Sequence, residues 1–167
     1  EAVLDDLRAR LRVTRWPDGA PGPAWSQGTD LDYILDLVRY WAEEFDWREQ
    51  ERRLNAYEHF TVELDGARIH FVHRRSGKPG IVLMHGWPST FAELLPVADQ
   101  LGDDFDLIIP SLPGYVFSSR PDRVGVNREQ VAQLMHRLMQ GLGYERYGAA
   151  GGDFGAGVAT YMALTEP

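Results

Sequence analysis

The stretch Gly151-Gly152-Asp153-Phe154-Gly155 places one carboxylate at the centre of five residues, with glycine two positions before it and two positions after it. Tyr147–Ala150 resembles the end of a short buried strand, and the small residues of Ala156–Met162 indicate a helix packed closely on that strand. A sharp strand-to-helix turn holds its central residue in strained backbone geometry, and flanking glycines remove the Cβ atoms that would clash. The spacing is that of a nucleophile elbow, G-x-S-x-G, with aspartate in place of serine.

The aspartate predicts a different chemistry from that of a serine. A carboxylate can displace a leaving group from saturated carbon and form an alkyl ester of the enzyme's own side chain. Water must then attack the carbonyl carbon of that ester, and an oxyanion hole must hold the tetrahedral intermediate. The pentapeptide taken alone is equally compatible with an Asp N-cap that opens a helix after a glycine-rich turn.

A second motif, His85-Gly86-Trp87-Pro88, follows a buried strand and precedes a helix. The loops at the carboxyl ends of strands line the ligand crevice of a doubly wound sheet, so this loop and the elbow are expected at one edge. We predict that the backbone N–H groups of Trp87 and Phe154 converge on one oxygen as the oxyanion hole. Gly86 is expected to permit the tight turn, Pro88 to set its exit, and His85 to hold the loop by hydrogen bonds rather than to act as a base.

The elements that position these motifs alternate between strand and helix. A β-hairpin is predicted from the alternation of Phe60, Val62 and Leu64, the turn Asp65-Gly66, and the alternation of Ile69 and Phe71. The elements predicted after it are strand Ile81–Met84, a helix from Phe91 to Leu101, strand Phe105–Ile109, loop Pro110–Pro121, helix Asn127–Leu142 and strand Tyr147–Ala150. This order predicts an α/β fold with a doubly wound, mostly parallel sheet.

The pattern predicts two regions: a helical extension over residues 1–55, ahead of that sheet, and the first half of an α/β core over residues 56–167. The extension contains a helical pattern over residues 1–12, a helix from Thr29 or Asp30 to Glu44, and a helix to Leu54 with Asp46 and Glu49 as its capping box. Between the first two helices, Trp16–Trp25 contains three prolines and two glycines. This composition predicts a meander, with Trp16 and Trp25 anchoring it on the core.

The composition limits the classes of function. The chain has 167 residues and a net charge of −8, and its scattered Lys and Arg argue against a nucleic-acid partner. The absence of cysteine excludes disulfide and thiol chemistry and is compatible with a reducing compartment, so a cytoplasmic location is expected. No apolar run is long enough for a membrane span. We expect neither a metal nor a cofactor, and a homo-oligomer is left open.

None of the five histidines is predicted to be the catalytic base. His70 and His73 lie on opposite faces of one strand and therefore cannot form a ligand pair. These two and His59 are expected to be structural or solvated, and His136 is expected on the surface of its helix.

Three motifs in succession resemble those of α/β-hydrolase epoxide hydrolases: Leu83–Pro88, Pro113–Ser118 and Gly151–Gly155. The N-terminal region is similar to that of the microsomal-type branch, including its soluble bacterial members, in Leu4–Arg15, Trp16-Pro17, Trp25, Thr29–Glu44, Phe45–Arg48 and Leu54-Asn55. The resemblance covers essentially the whole chain. It implies that Asp153 opens a small apolar epoxide, that Trp87 and Phe154 supply the oxyanion-hole amides, and that water completes the reaction.

The resemblance also implies two cap-domain tyrosines that protonate the epoxide oxygen, and a His with an Asp or Glu partner that activates water. These groups are expected beyond Pro167, because both ends of the chain, Glu1 and Thr165–Pro167, look cut. We therefore expect that residues 1–167 alone do not complete a turnover.

Two residues depart from the family pattern. Val116 stands where the family usually has Gly, which bears on the loop beside the pocket, and Phe154 stands where Trp is commoner. Haloalkane dehalogenation uses the same fold and an Asp nucleophile and is the first alternative function. The side chain of Phe154 offers no indole N–H to a departing halide, which favours an epoxide. The second alternative is a non-catalytic scaffold or interaction fragment.

Overall fold

The computed structural model describes residues 1–19 and 21–165. The chain forms two compact units, Glu1–Glu51 and Arg52–Pro167. The first unit contains helices α1 (Ala2–Arg12) and α2 (Leu31–Glu43) and most of α3 (Trp47–Leu54). The Asp30 carboxylate caps α2 by accepting from the Asp32 amide at 3.1 Å, and the predicted cap of α3, Asp46, accepts from the Glu49 amide at 3.0 Å.

The two tryptophans of the meander do not anchor it on a core. Trp25 is 57% exposed and Trp16 is 37% exposed, and the Trp25 ring packs on Tyr33 of α2 with centroids 5.1 Å apart. The prediction of core anchoring is wrong, because Ala42 is the one buried residue among the described residues of this unit. Two helices and a turn of a third form no interior that could enclose an indole. Ala20 of the meander lies outside the described residues.

The second unit is built on a five-stranded sheet with the order β1-β2-β4-β3-β5. Its strands are β1 (His59–Leu64), β2 (Ala67–Arg74), β3 (Gly80–Met84), β4 (Asp106–Pro110) and β5 (Tyr147–Gly151). β2 runs antiparallel to β1 and to β4, whereas β3 runs parallel to β4 and to β5. The α/β prediction is confirmed, and the hairpin makes the sheet mixed.

The hairpin turn follows the prediction from its dipeptide. Leu64 pairs with Ala67, so Asp65 and Gly66 form a two-residue loop. Both have left-handed backbones, with φ of 49° and 78°. A primed turn of this kind matches the twist of the two strands it joins, which is why Asp-Gly is favoured there.

Helices cover both faces of the sheet. On one face lies α4 (Leu95–Leu101), which continues from a 3-10 turn at Phe91–Leu94. On the other face lie α5 (Arg128–Gly141) and α6 (Phe154–Thr165). Alternate residues of β4 serve the two layers: Leu107 and Ile109 pack with the α4 face, and Ile108 packs with α5 and α6. Asn127, where the sequence predicts this helix to begin, forms a reciprocal capping box with Gln130.

A buried carboxylate fastens the amino ends of β3 and β4. Oδ1 of Asp106 accepts from the amides of Ser76 (2.6 Å) and Gly77 (2.8 Å), and Oδ2 accepts from the Tyr144 hydroxyl at 2.5 Å. Because the Tyr144 proton is committed to Asp106, Nε2 of His73 must donate to the Tyr144 oxygen, 2.9 Å away. Burial opposes ionisation of Asp106, but the bonds from Tyr144 and Ser76 outweigh it and hold its pKa well below the usual range.

Within residues 1–19 and 21–165, no helix combines the length and the apolar character that crossing a bilayer would require.

Candidate active site

Asp153 occupies the turn between β5 and α6 with a left-handed backbone, φ 49°. This conformation is uncommon for a residue with a Cβ atom and costs about 1 kcal/mol. The residue is exposed, and its carboxylate accepts no hydrogen bond from any residue in the described part of the chain. An N-cap aspartate would accept from an amide of the first helical turn. The side chain of Asp153 does not cap α6, so that alternative interpretation does not hold.

The glycines on either side of Asp153 are required by close backbone contact with the end of β3. A Cβ atom at Gly151 would lie 2.6 Å from the Met84 carbonyl oxygen. A Cβ atom at Gly155 would lie 2.6 Å from the Met84 carbonyl carbon and 2.7 Å from the His85 oxygen. The elbow can therefore rest on β3 only if both positions lack a side chain, as the sequence predicts.

Gly86 brings the second motif into direct contact with the elbow. A Cβ atom built on Gly86 would lie 2.6 Å from the Cβ and 3.1 Å from the Cγ of Asp153. The φ angle of Gly86 lies outside the left-handed region, so close approach to Asp153, rather than the turn itself, requires the glycine. The two motifs are thus adjacent at one sheet edge, although Gly86 and Asp153 are 67 positions apart in sequence.

Two backbone amides flank this contact. Trp87 follows Gly86 and is joined to Pro88 by a cis peptide bond, and Phe154 is the first residue of α6. Neither amide donates to another residue in 1–19 or 21–165. The first amides of a helix have no intrahelical acceptor and lie at the positive end of its dipole, so the Phe154 N–H is available to an anion.

His85 holds the Gly86 loop from beneath. The Leu112 amide donates to its Nε2 at 3.1 Å, so Nδ1 carries the proton and donates to the Gly86 oxygen at 2.9 Å. The side chain is fully buried, and burial lowers the pKa of His85, which keeps the ring neutral in this tautomer. These contacts agree with the prediction that His85 holds the loop.

Two hydrogen-bonded histidines, His59 and His70, support the neighbouring loop, residues 111–119. Because the Leu54 carbonyl can only accept, His59 donates to it from Nε2 (2.9 Å). Nδ1 of His59 then accepts from Nε2 of His70 (2.9 Å), and Nδ1 of His70 accepts from the Ser111 hydroxyl (2.8 Å). Burial and the neighbouring His59 lower the pKa of His70 to about 4. The sequence predicted structural or solvated histidines; His70 and His73 are buried, and the link to Ser111 was not predicted.

The tip of this loop reaches the site through aromatic contacts. The Tyr115 ring lies 4.8 Å from the ring of His85, and the Phe117 ring lies 5.1 Å from that of His70. Between them, Val116 is half-exposed with φ 42°. A β-branched residue in this region is an outlier. This is the position at which the sequence departs from the usual glycine of the motif.

The remaining predicted features lie away from the elbow. His136 is half-buried rather than on the surface, because the Tyr147 side chain of β5 lies against it, with the Tyr147 hydroxyl 2.5 Å from Nδ1 of His136. None of the five histidines hydrogen-bonds to Asp153. The described residues contain no group of His, Asp or Glu arranged to hold a metal ion.

The strand order, the strained residue after β5 and its contact with the loop after β3 define an α/β-hydrolase fold. Residues 79–167 match the family described as alpha/beta hydrolase fold, and residues 1–94 match the family described as epoxide hydrolase N terminus. The second match extends over more than half of the chain. The chain belongs to the epoxide hydrolase family.

Individual relatives agree with this assignment. A Stigmatella aurantiaca protein provisionally named an epoxide hydrolase is 41% identical over the whole chain and 41% of its own length. Epoxide hydrolase 1 of Oryctolagus cuniculus is 33% identical over 98% of the chain and 40% of its own length. The structure of the Aspergillus niger epoxide hydrolase superposes with a TM-score of 0.87 and 31% identity, over 99% of this chain and 47% of that one. The chain spans about two fifths of the length of these curated relatives.

Proposed function

We propose that these residues supply the nucleophile and the oxyanion hole of an epoxide hydrolase, which converts a small apolar epoxide and water to a vicinal diol. The observation that carries the proposal is the geometry at Asp153. Its exposed carboxylate has no hydrogen-bond partner in the described chain, the residue stands on a strained turn, and it lies against Gly86. The next residue after each of the two, Trp87 and Phe154, has an amide that donates to no described residue. The names of the matching relatives favour an epoxide as the substrate.

In the first step, an oxygen of the Asp153 carboxylate attacks one epoxide carbon. The bond from that carbon to the ring oxygen breaks, and the ring oxygen takes up a proton and becomes a hydroxyl. The product is a hydroxyalkyl ester of Asp153. A carboxylate that already accepted several protein hydrogen bonds would be a poorer nucleophile, so the missing partners of Asp153 suit this role.

In the second step, water attacks the carbonyl carbon of the ester and loses a proton to a general base. Negative charge develops on the carbonyl oxygen, where the amides of Trp87 and Phe154 would donate hydrogen bonds. Collapse of the tetrahedral intermediate expels the second diol oxygen, which takes the proton back from the base, and the remaining acid proton of Asp153 returns to the donor of the first step. The carboxylate is regenerated, and the net reaction adds one water. We assign neither the base nor the proton donor of the first step to a described residue.

Isotope labelling tests the nucleophile in the complete polypeptide that carries these residues. In a single turnover in oxygen-18 water, the diol should contain no solvent oxygen and the Asp153 peptide should gain one label. Asp153→Asn should lower the rate at least about a thousand-fold, with unchanged stability because Asn tolerates left-handed backbone. Label in the diol of the first turnover, with an unlabelled Asp153, would exclude the ester mechanism.

Haloalkane dehalogenation is the second candidate for the same nucleophile. A departing halide requires fixed donors, and the Phe154 ring next to Asp153 has no N–H to offer. An epoxide oxygen remains attached to its carbon and requires a proton instead. We expect styrene oxide to be opened and simple haloalkanes to release little halide; equal rates for the two would contradict the epoxide assignment.

A further inference from the structure

Arg128, the first residue of α5, contacts the first turn of α6 at two points. Its guanidinium carbon lies 5.3 Å from the centre of the Phe154 ring. The stem of the same side chain crosses the backbone of Gly157: a Cβ atom there would overlap Cδ of Arg128 and lie 2.8 Å from its Nε. One side chain from a neighbouring helix therefore covers both the residue after Asp153 and the fourth residue of α6.

Ion pairing and helix electrostatics do not explain this placement. Arg128 forms no salt bridge with a carboxylate of residues 1–19 or 21–165. It also stands at the amino end of α5, where the helix dipole disfavours a positive charge. The aromatic face of Phe154 is the feature that attracts the guanidinium, since a ring face carries partial negative charge.

We propose that Arg128 is a positioning residue for the elbow. Its stack on Phe154 and its stem over Gly157 hold the first turn of α6, and this turn carries the Phe154 amide that the proposed oxyanion hole uses. This inference rests on the proposed function, because the step that Arg128 affects is a step of the proposed reaction. The oxyanion forms when water attacks the ester, so Arg128 acts on hydrolysis of the ester and not on its formation.

Rapid-quench mass spectrometry of the Asp153 peptide, with styrene oxide and the complete polypeptide, separates the two steps. Arg128→Ala should slow ester hydrolysis roughly tenfold, which is less than the loss of a whole oxyanion donor. Formation of the ester should stay within about twofold, so the ester accumulates. Arg128→Lys keeps the charge but loses the planar stack, so its rate of ester hydrolysis should lie between those of the unaltered protein and Arg128→Ala. Arg123→Ala, at an exposed arginine on the loop before α5, is the matched control and should leave both steps unchanged.

Gly157→Ala provides an independent way to displace the same side chain. Its new Cβ pushes the Arg128 stem away, although alanine favours the helix more than glycine does. Slower hydrolysis in this variant could not come from a weakened α6. The double variant Gly157→Ala with Arg128→Ala should be no slower than Arg128→Ala alone, because both changes remove one contact.

Different results would contradict the nucleophile assignment of Asp153 and the positioning role of Arg128. If the unaltered protein forms no ester on Asp153, the proposed function falls and this inference falls with it. If the ester forms and Arg128→Ala hydrolyses it at the unaltered rate, the positioning role of Arg128 is wrong and the nucleophile assignment stands. Additive effects of Arg128→Ala and Gly157→Ala would likewise overturn the shared contact.

Discussion

Two aspartates at opposite ends of the parallel strands have opposite surroundings. Asp106, at the amino end of β4, is buried and accepts hydrogen bonds from the Ser76–Lys78 segment and from Tyr144. Asp153, beyond the carboxyl end of β5, is exposed and accepts none from the described chain. The same side chain is therefore structural where its lone pairs are occupied, and available for reaction where the backbone presents it without partners.

The two ends of the parallel strands are also held by different kinds of interaction. The amino end is held by hydrogen bonds to an ionised carboxylate, and the carboxyl end is held by direct backbone contact at Gly86, Gly151 and Gly155. Neutral histidines, His85 and His70, then support the loops around the carboxyl end. Substitutions should therefore affect the two ends separately.

The largest effect is expected from Gly155→Ala, which breaks the carboxyl end alone. The new Cβ would meet the carbonyl carbon of Met84 at 2.6 Å, and backbone cannot move aside as a side chain can. We expect a loss of about 4 kcal/mol in the free energy of unfolding, measured by urea titration. Gly152→Ala is the control, because a Cβ there meets nothing within 4 Å. A small effect at Gly155 would mean that the elbow does not need this contact.

Asp106→Asn breaks the amino end and should cost about 3 kcal/mol in unfolding free energy, because an amide replaces a carboxylate among buried donors. Labelling of Asp153 in a single turnover should be unaffected. Asp104→Asn, at an exposed position two residues earlier, should be neutral. Equal losses at the two positions would show that the hydrogen bonds of Asp106 contribute little.

Acid should act on the carboxyl end through His70 at a higher pH than it acts on the amino end through Asp106. The folded pKa of His70 is about 4 against an ordinary 6.5, so the unfolded chain binds a proton first and stability falls as pH drops below about 6.5. Between pH 7 and pH 5, protonation linked to His70 should lower the free energy of unfolding by about 2 kcal/mol. Asp106, whose folded pKa is lowered, contributes above its ordinary 3.8 and loses that contribution only below it.

Thermal melts of the unaltered protein and of His70→Gln test this separation. Glutamine can donate to His59 and accept from Ser111 without titrating, so its melting temperature should fall less between pH 7 and pH 5. Burial also lowers the pKa of His73, so protonation of His73 costs stability at the amino end in both proteins, and the difference between their pH curves reports on His70. Parallel pH curves for the two proteins would exclude His70 as the sensitive group.

The smallest effect is expected at Val116, the second strained residue of the carboxyl end. Val116→Gly should raise the unfolding free energy by up to about 1 kcal/mol, because glycine adopts φ 42° without steric cost. Val116→Ala keeps the Cβ atom and should therefore raise the unfolding free energy by less than Val116→Gly does. If alanine stabilises as much as glycine, branching at Cβ rather than the left-handed backbone is the source of strain.

Local sequence signals determined most of the elements and their order. The Asp65-Gly66 turn, the caps at Asp30 and Asp46, and the capping box at Asn127 all depend on residues within three positions of each other, and all are present. The elbow was also visible, because its glycines flank Asp153 in sequence. The predicted ends of β3, β4 and β5 differ from the observed ones by at most one residue, whereas β2 extends up to three residues beyond the predicted alternation, since a strand ends where its partner does.

Contacts between distant residues were decided by the tertiary structure. The sequence placed Gly86 and Asp153 at one edge, but only packing of β5 beside β3 shows that their atoms touch. The link from His70 to Ser111 spans 41 residues, and no periodicity or spacing encodes which way a ring nitrogen faces. The exposure of Trp16 and Trp25 has the same cause: burial depends on which other residues enclose a side chain, and a large apolar residue type alone does not determine it.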